Sequence, residues 1–148
     1  MVNQNYYNAY TKVTPQQKNS IVNFLHENIE GEMVAKEKIA EAIEYAVKDR
    51  PSFGGFVLTV KEGEKILGAM IVNDTGMELN TKNRIVFIAI HENHRNNGVD
   101  SKLVNRAIDL TKGNLSLQLD PNNSWIEKFK SLGFQTKCVE LKLGTCMK

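Results

Sequence analysis

The chain has 148 residues, 41% of them hydrophobic and 24% charged, with a formal net charge of +2. That length suits one domain over residues 1–148 that buries roughly two thirds of its unfolded surface, and no run approaches the roughly 18 apolar residues of a membrane span. Charges of both signs are interleaved, as in Lys61-Glu62-Gly63-Glu64-Lys65, so no basic face announces nucleic acid. The segment Met1-Val2-Asn3-Gln4-Asn5-Tyr6-Tyr7 has neither the basic start nor the apolar stretch of a signal peptide, so a cytoplasmic protein is expected. The two cysteines, Cys138 and Cys146, lack metal-ligand spacing and are expected to be plain thiols.

In chain order, Thr14-Pro15-Gln16-Gln17 offers a capping hydroxyl, a proline suited to a first helical turn and a glutamine three residues after the cap. Ile21, Val22, Phe24, Leu25 and Ile29 follow at helical spacing, predicting a helix from about Pro15 to Ile29. A second helical pattern, Ala35, Ile39, Ala42, Ile43, Ala46 and Val47, ends before Pro51, Gly54 and Gly55. Phe56 to Lys61 and Ile66 to Asn73, joined by Glu62-Gly63-Glu64-Lys65, read as an antiparallel hairpin. Tyr6 to Val13 offers a further edge strand.

Ile85-Val86-Phe87-Ile88-Ala89-Ile90 is apolar throughout, as a strand covered on both faces should be. Val99, Leu103, Val104, Ala107 and Ile108 form one helical stripe, and Leu115, Leu117 and Leu119 alternate with Ser116 and Gln118 as a half-buried strand ended by Pro121. A short helix from about Ser124 carries Trp125, Ile126, Phe129 and Leu132 and stops at Gly133, before a last strand from Phe134 to Leu143. The fold class is α/β (α+β), with a mixed, mostly antiparallel sheet of about six strands and about four helices.

Between the apolar strand and the next helix stands His94-Arg95-Asn96-Asn97-Gly98-Val99-Asp100. A buried strand feeding a glycine turn that opens a helix presents unpaired backbone N–H groups and the positive end of a helix dipole. Arg95 adds a guanidinium fork, and the whole suits a pyrophosphate. A second glycine-ended unit, Asn122 to Phe134, follows downstream.

This pair resembles the GNAT superfamily of acyl-CoA-dependent N-acyltransferases. Their signature is a central strand, then Arg or Gln-x-x-Gly-x-Gly or Ala opening a helix, then Asn-x-x-Ala-x-x-Phe-Tyr-x-x-Leu-Gly-Phe. Arg95 and Gly98 match the first element, and Asn122 with Leu132-Gly133-Phe134 match the second. The resemblance implies acetyl-CoA as co-substrate and an amine, on a small molecule or a protein, as acceptor, with room for a homodimer; charge and hydropathy point to neither nucleic acid nor membrane as partner. It implies that the backbone of Ile88, Ala89 and Ile90 pairs with the pantetheine arm and that Arg95, Asn96, Asn97, Gly98, Val99 and Asp100 surround the pyrophosphate. The N–H of Ile90 is the implied catalytic donor to the oxyanion, Asn122 steadies the cofactor arm, and the strand after Leu115 splays from its neighbour.

Three positions depart from the pattern. Asp100 stands where the family prefers Gly or Ala; each like-charge pair with a pyrophosphate at about 8 Å and an effective dielectric of about 40 costs on the order of 1 kcal/mol, unless the carboxylate points away and favours the helix N-terminus. Phe129 occupies the place of the tyrosine that protonates the departing thiolate in many members, where its own residue type suits the core. Glu92 replaces a proline. A lysine-type acceptor must be deprotonated, at about 4 to 5 kcal/mol near pH 7. Some members place a carboxylate at the start of the central strand, where this chain has Arg84. Glu78, His91 and His94 are nearby in sequence, and the base stays unassigned. The family usually shapes its acceptor pocket with the loop between the first two helices, here Glu30-Gly31-Glu32-Met33, whose carboxylates suit a cationic amine. Asp100 and the missing phenol also motivate a different class, an acyl-CoA-binding regulatory or interaction module with little or no turnover.

Overall fold

A computed structural model describes residues 2–29, 34–48, 54–74, 82–95, 97–137, 139, 141 and 143–144. In chain order its elements are β1 (Val2–Tyr7), α1 (Pro15–Asn28), α2 (Lys36–Ala46), β2 (Gly54–Glu62), β3 (Lys65–Asp74), β4 (Asn83–Ile90), a single 3₁₀ turn (Glu92–His94), α3 (Val99–Thr111), β5 (Leu115–Leu117) and α4 (Trp125–Ser131). The strands lie in the order β1-β2-β3-β4-β5. The first three pairings are antiparallel and β4–β5 is parallel, so the mixed α/β class is as expected.

The capping box forms as read. Gln17 N–H donates to Thr14 Oγ1 at 3.1 Å and Thr14 N–H to Gln17 Oε1 at 2.8 Å, with Pro15 at the first helical position. Strand alternation then sorts the core into two layers. Leu58, Val60, Met70, Val72, Ile88 and Ile90 pack with α3 and α4, while Val57, Ala69, Ile71 and Ala89 pack with α1 and α2. A Lys18–Glu44 ion pair links α1 to α2. No helix among the described residues is long and apolar enough to cross a membrane.

Two strand expectations need correction. The N-terminal edge strand is Val2–Tyr7 rather than Tyr6 to Val13, because the Asn8 side chain accepts from Tyr10 N–H at 2.8 Å and Thr11 N–H at 2.9 Å and turns the chain away. The last strand is not formed by the described residues between Phe134 and Leu143, so the sheet has five strands among the described residues, not about six. Gly133, at φ 106°, bends the chain back so that Phe134 N–H reaches Phe129 O at 3.0 Å and its ring meets Phe129 edge-on at 5.1 Å. The alternating Val139, Leu141 and Leu143 stay 81%, 92% and 86% exposed, and β5 is only three residues long. Cys138, Cys146 and Pro51 lie outside the described residues.

Gly68 in β3 lets α3 approach the sheet. A Cβ there would meet Val99 Cγ1 at 2.7 Å and both Ile90 Cδ1 and Leu103 Cδ1 at 3.0 Å. Gly68→Ala is expected to cost about 1–2 kcal/mol by overpacking and to push the start of α3 off the sheet; urea denaturation measures the loss.

Candidate active site

The site begins where β4 and β5 part. Asn83, Arg84 and Ile85 pair with Leu115, Ser116 and Leu117, and the ladder ends there. The β3–β4 register shifts at the same level: Ile71 pairs with Phe87 and Val72 with Ile85, leaving Val86 as the extra residue. Such a bulge bends its strand, so β4 turns out of the β5 ladder and its last five residues have no partner strand on that side among the described residues. His91 N–H donates to Leu67 O at 2.7 Å. Antiparallel alternation therefore aims the N–H groups of Ile88 and Ile90 away from β3, into the opening. Ile88, Ala89 and Ile90 are 7%, 1% and 1% exposed, so packing on both faces fixes the backbone that lines the cleft.

The cleft leads to the turn that opens α3. Gly98 holds the N-cap in the left-handed region at φ 83°, and a Cβ added there would meet nothing within 4 Å. The first donors of any helix lack partners within it. Ser101 N–H donates to Asp100 Oδ1 at 2.8 Å, whereas the N–H groups of Gly98, Val99 and Asp100 make no hydrogen bond among the described residues. Val99 is buried and Asn97 exposed; Asn96 lies outside the described residues.

The Arg95 side chain serves backbone carbonyls. Its Nε donates to Ile90 O at 3.2 Å and its Nη2 to Asn28 O at 3.4 Å. It thus ties the end of β4 to the end of α1, and it holds the Ile90 carbonyl on the open side of the strand.

Asp100 is 6% exposed. Its Oδ2 lies 2.6 Å from Lys128 Nζ, so the carboxylate that sequence reasoning sets beside a pyrophosphate has its own cation, held on α4. Lys128 was missed from sequence because complementary charges 28 residues apart produce no periodic signal. Phe129, 2% exposed, lies between Trp125, tilted at 5.6 Å, and Phe134, edge-on at 5.1 Å, and packs in the core as its residue type suggests. Asn122 is exposed, and it is Asn123 that fixes the start of α4, its Oδ1 accepting from Trp125 N–H at 2.7 Å.

Of the base candidates, His91 accepts from Asn93 N–H at 3.2 Å through Nδ1. A neutral imidazole in that arrangement carries its proton on Nε2 and has no lone pair left for an acceptor. His94 packs edge-on to it at 5.6 Å, and Glu78 lies outside the described residues, as does the Glu30–Met33 loop. Glu92 is exposed in the 3₁₀ turn. With Asn23, Glu27, Glu64 and His91 it borders an open polar cavity of about 580 Å³ beside α1, at the end of β4. No group of three or more His, Cys, Asp or Glu among the described residues is arranged for a metal ion.

Strand pair, splay and helix-opening turn together make up the candidate site. The acetyltransferase (GNAT) family model matches residues 19–134; the chain belongs to that family and is a GNAT-type acyltransferase. No curated protein matches the sequence. Among solved structures, the ribosomal-protein-S18-alanine N-acetyltransferase from Escherichia coli is 14% identical with a TM-score of 0.67, over 93% of this chain and 80% of that one. The aminoglycoside N-acetyltransferase AAC(6')-Iy in complex with CoA is 12% identical with a TM-score of 0.72, over 99% and 96%. The aminoglycoside antibiotic 6'-N-acetyltransferase AAC(6')-Ih from Acinetobacter baumannii is 9% identical with a TM-score of 0.71, over the whole of both chains. At such identities these likenesses concern the fold.

Proposed function

We propose that residues 1–148 form one acetyltransferase domain that binds acetyl-CoA in the β4–β5 cleft and transfers its acetyl group to a primary amine by direct attack. The supporting observation is the continuity of the unpartnered edge of β4 with a helix-opening turn whose N–H groups at Gly98, Val99 and Asp100 have no partner among the described residues. A strand edge accepts an amide-bearing arm as it accepts another strand, and a helix N-terminus favours phosphate. When bound, acetyl-CoA supplies an acetyl group activated as a thioester; transfer forms a C–N bond, breaks the C–S bond and moves one proton from the amine to the thiolate.

This chain's contribution is chiefly positioning and electrostatics. The Ile88 and Ile90 N–H groups face the cleft from a strand that packing holds still, where donors stabilise negative charge developing on a carbonyl oxygen. The Arg95 bridge keeps Ile90 in place. Phe129 has no proton to give, so the thiolate takes its proton from another residue or from water; without a positioned acid the rate forgoes roughly 10²- to 10⁴-fold. The cytoplasm as location and a homodimer as assembly belong to the same proposal, with neither nucleic acid nor membrane as partner.

Acetyl-CoA at about 100 times its dissociation constant should stabilise the fold by roughly 2.7 kcal/mol, several degrees in Tm. The absence of a shift at millimolar ligand with folded protein would sink the cofactor assignment. Thiol release from acetyl-CoA with a panel of amines then separates enzyme from binding module: a thermal shift without release for any amine favours the module.

A further inference from the structure

Arg84 and Asn73 face each other across β4 and β3 as register partners, a placement that sets their Cβ atoms about 4.5–5.5 Å apart. Ile85 and Val72, the next residue of β4 and the preceding residue of β3, belong to the core under α3, so by alternation Arg84 and Asn73 project to the α1–α2 face. Arg84 Nε and Asn73 Oδ1 are both buried, and neither has a hydrogen-bond partner among the described residues. The neighbouring carboxylate, Asp74, projects to the other face and lies 3.8 Å from Lys82, and Arg84 forms no ion pair among the described residues. A buried donor or acceptor left unsatisfied costs about 1–3 kcal/mol, more when charged, so two of them side by side call for an occupant.

Their position relates them to the cleft. Arg84 is paired to Ser116 at the closed end of the β4–β5 opening, two residues before the bulge. The edge of β4 that lies open from the α3 turn inward closes at that level. We infer that Arg84 and Asn73 form an acceptor subsite for a carboxylate next to an N–H, and that the acceptor is an amino acid or a short peptide with a free carboxyl end. The guanidinium offers a planar fork to a carboxylate, and Asn73 Oδ1 offers an acceptor to the adjacent N–H. The alternative acceptors, aliphatic amines without an anionic group, leave both buried atoms unsatisfied and add no reason for a guanidinium at this place.

The inference rests on the transferase reading, and the test separates the two. Thiol release is measured at saturating acetyl-CoA for matched acceptors, namely amino acids and dipeptides with a free carboxylate, the same compounds amidated at the carboxyl group, and the decarboxylated amines. The free carboxylates are expected to have kcat/KM at least about 10-fold higher, carried mainly by KM. Arg84→Gln should erase that preference while leaving the acetyl-CoA thermal shift unchanged. Asn73→Asp keeps shape and gives Arg84 an internal partner; it should raise Tm and also abolish the preference, which keeps the test open if the Arg84 variant folds poorly. Equal rates for free and amidated acceptors, or an Arg84→Gln loss equal for both, would overturn this inference alone. No release with any acceptor would overturn the transferase reading and this inference with it.

Discussion

Lys128→Met should destabilise the apo protein by about 2–3 kcal/mol and weaken acetyl-CoA roughly 10-fold, and adding Asp100→Ala should restore most of both. The Asp100 side chain is 8% exposed and that of Lys128 35%. Removing the cation therefore strands a carboxylate away from water, and breaking a buried pair on one side costs about 3–5 kcal/mol, reduced here because Lys128 reaches solvent. The affinity effect has a separate origin. Asp100 sits in the first turn of α3, where its unpaired charge opposes the phosphates that the turn would hold; about 1.4 kcal/mol of repulsion gives the tenfold change. Asp100→Ala alone should cost less stability and tighten binding, since it leaves Lys128 as an extra cation near the turn. Urea denaturation and calorimetric titration of the wild type, both single variants and the double variant complete the cycle. Additive losses would show that the pair does not couple α4 to the turn.

The pair also marks the limit of what the residues disclose in order. The Thr14–Gln17 box, the hairpin around Gly63 and the strand-to-turn step at Gly98 are local, with partners within a few residues, and local chemistry is written in local sequence. The apolar run Ile85–Ile90 shows a strand covered on both faces but not its bulge at Val86, which is defined only by the register against β3. The roles of Arg95 and Asp100 depend on Asn28 and Lys128, 67 and 28 residues away. Arg84 and Asn73 meet through a register that no pattern within either strand announces. A strand from Phe134 to Leu143 is expected from sequence, yet its described residues join no ladder and Val139, Leu141 and Leu143 stay exposed, since a ladder needs a partner edge and β5 offers three residues.

Arg95→Ala should weaken acetyl-CoA by about 1.5–3 kcal/mol, roughly 10- to 100-fold, and should also lower apo stability by about 1–2 kcal/mol. From sequence, Arg95 is simply a cation offered to phosphate. Hydrogen bonds to Ile90 O at 3.2 Å and Asn28 O at 3.4 Å add a structural duty, since their loss frees the end of β4 from α1 and lets the Ile90 N–H drift from the cleft. Arg95→Lys separates the two contributions. An ammonium keeps the charge but cannot donate through a planar fork to two carbonyls on different elements. The lysine variant should therefore lose nearly as much stability as the alanine variant while keeping more of the affinity, and its kcat should fall further than its acetyl-CoA affinity, because positioning of Ile90 acts on the reacting state. An alanine variant as stable as wild type would assign the side chain to phosphate alone. An alanine variant with unchanged affinity but lower stability would assign it to the scaffold, and the turn would then hold its phosphates through the Gly98, Val99 and Asp100 N–H groups and the α3 dipole without a guanidinium.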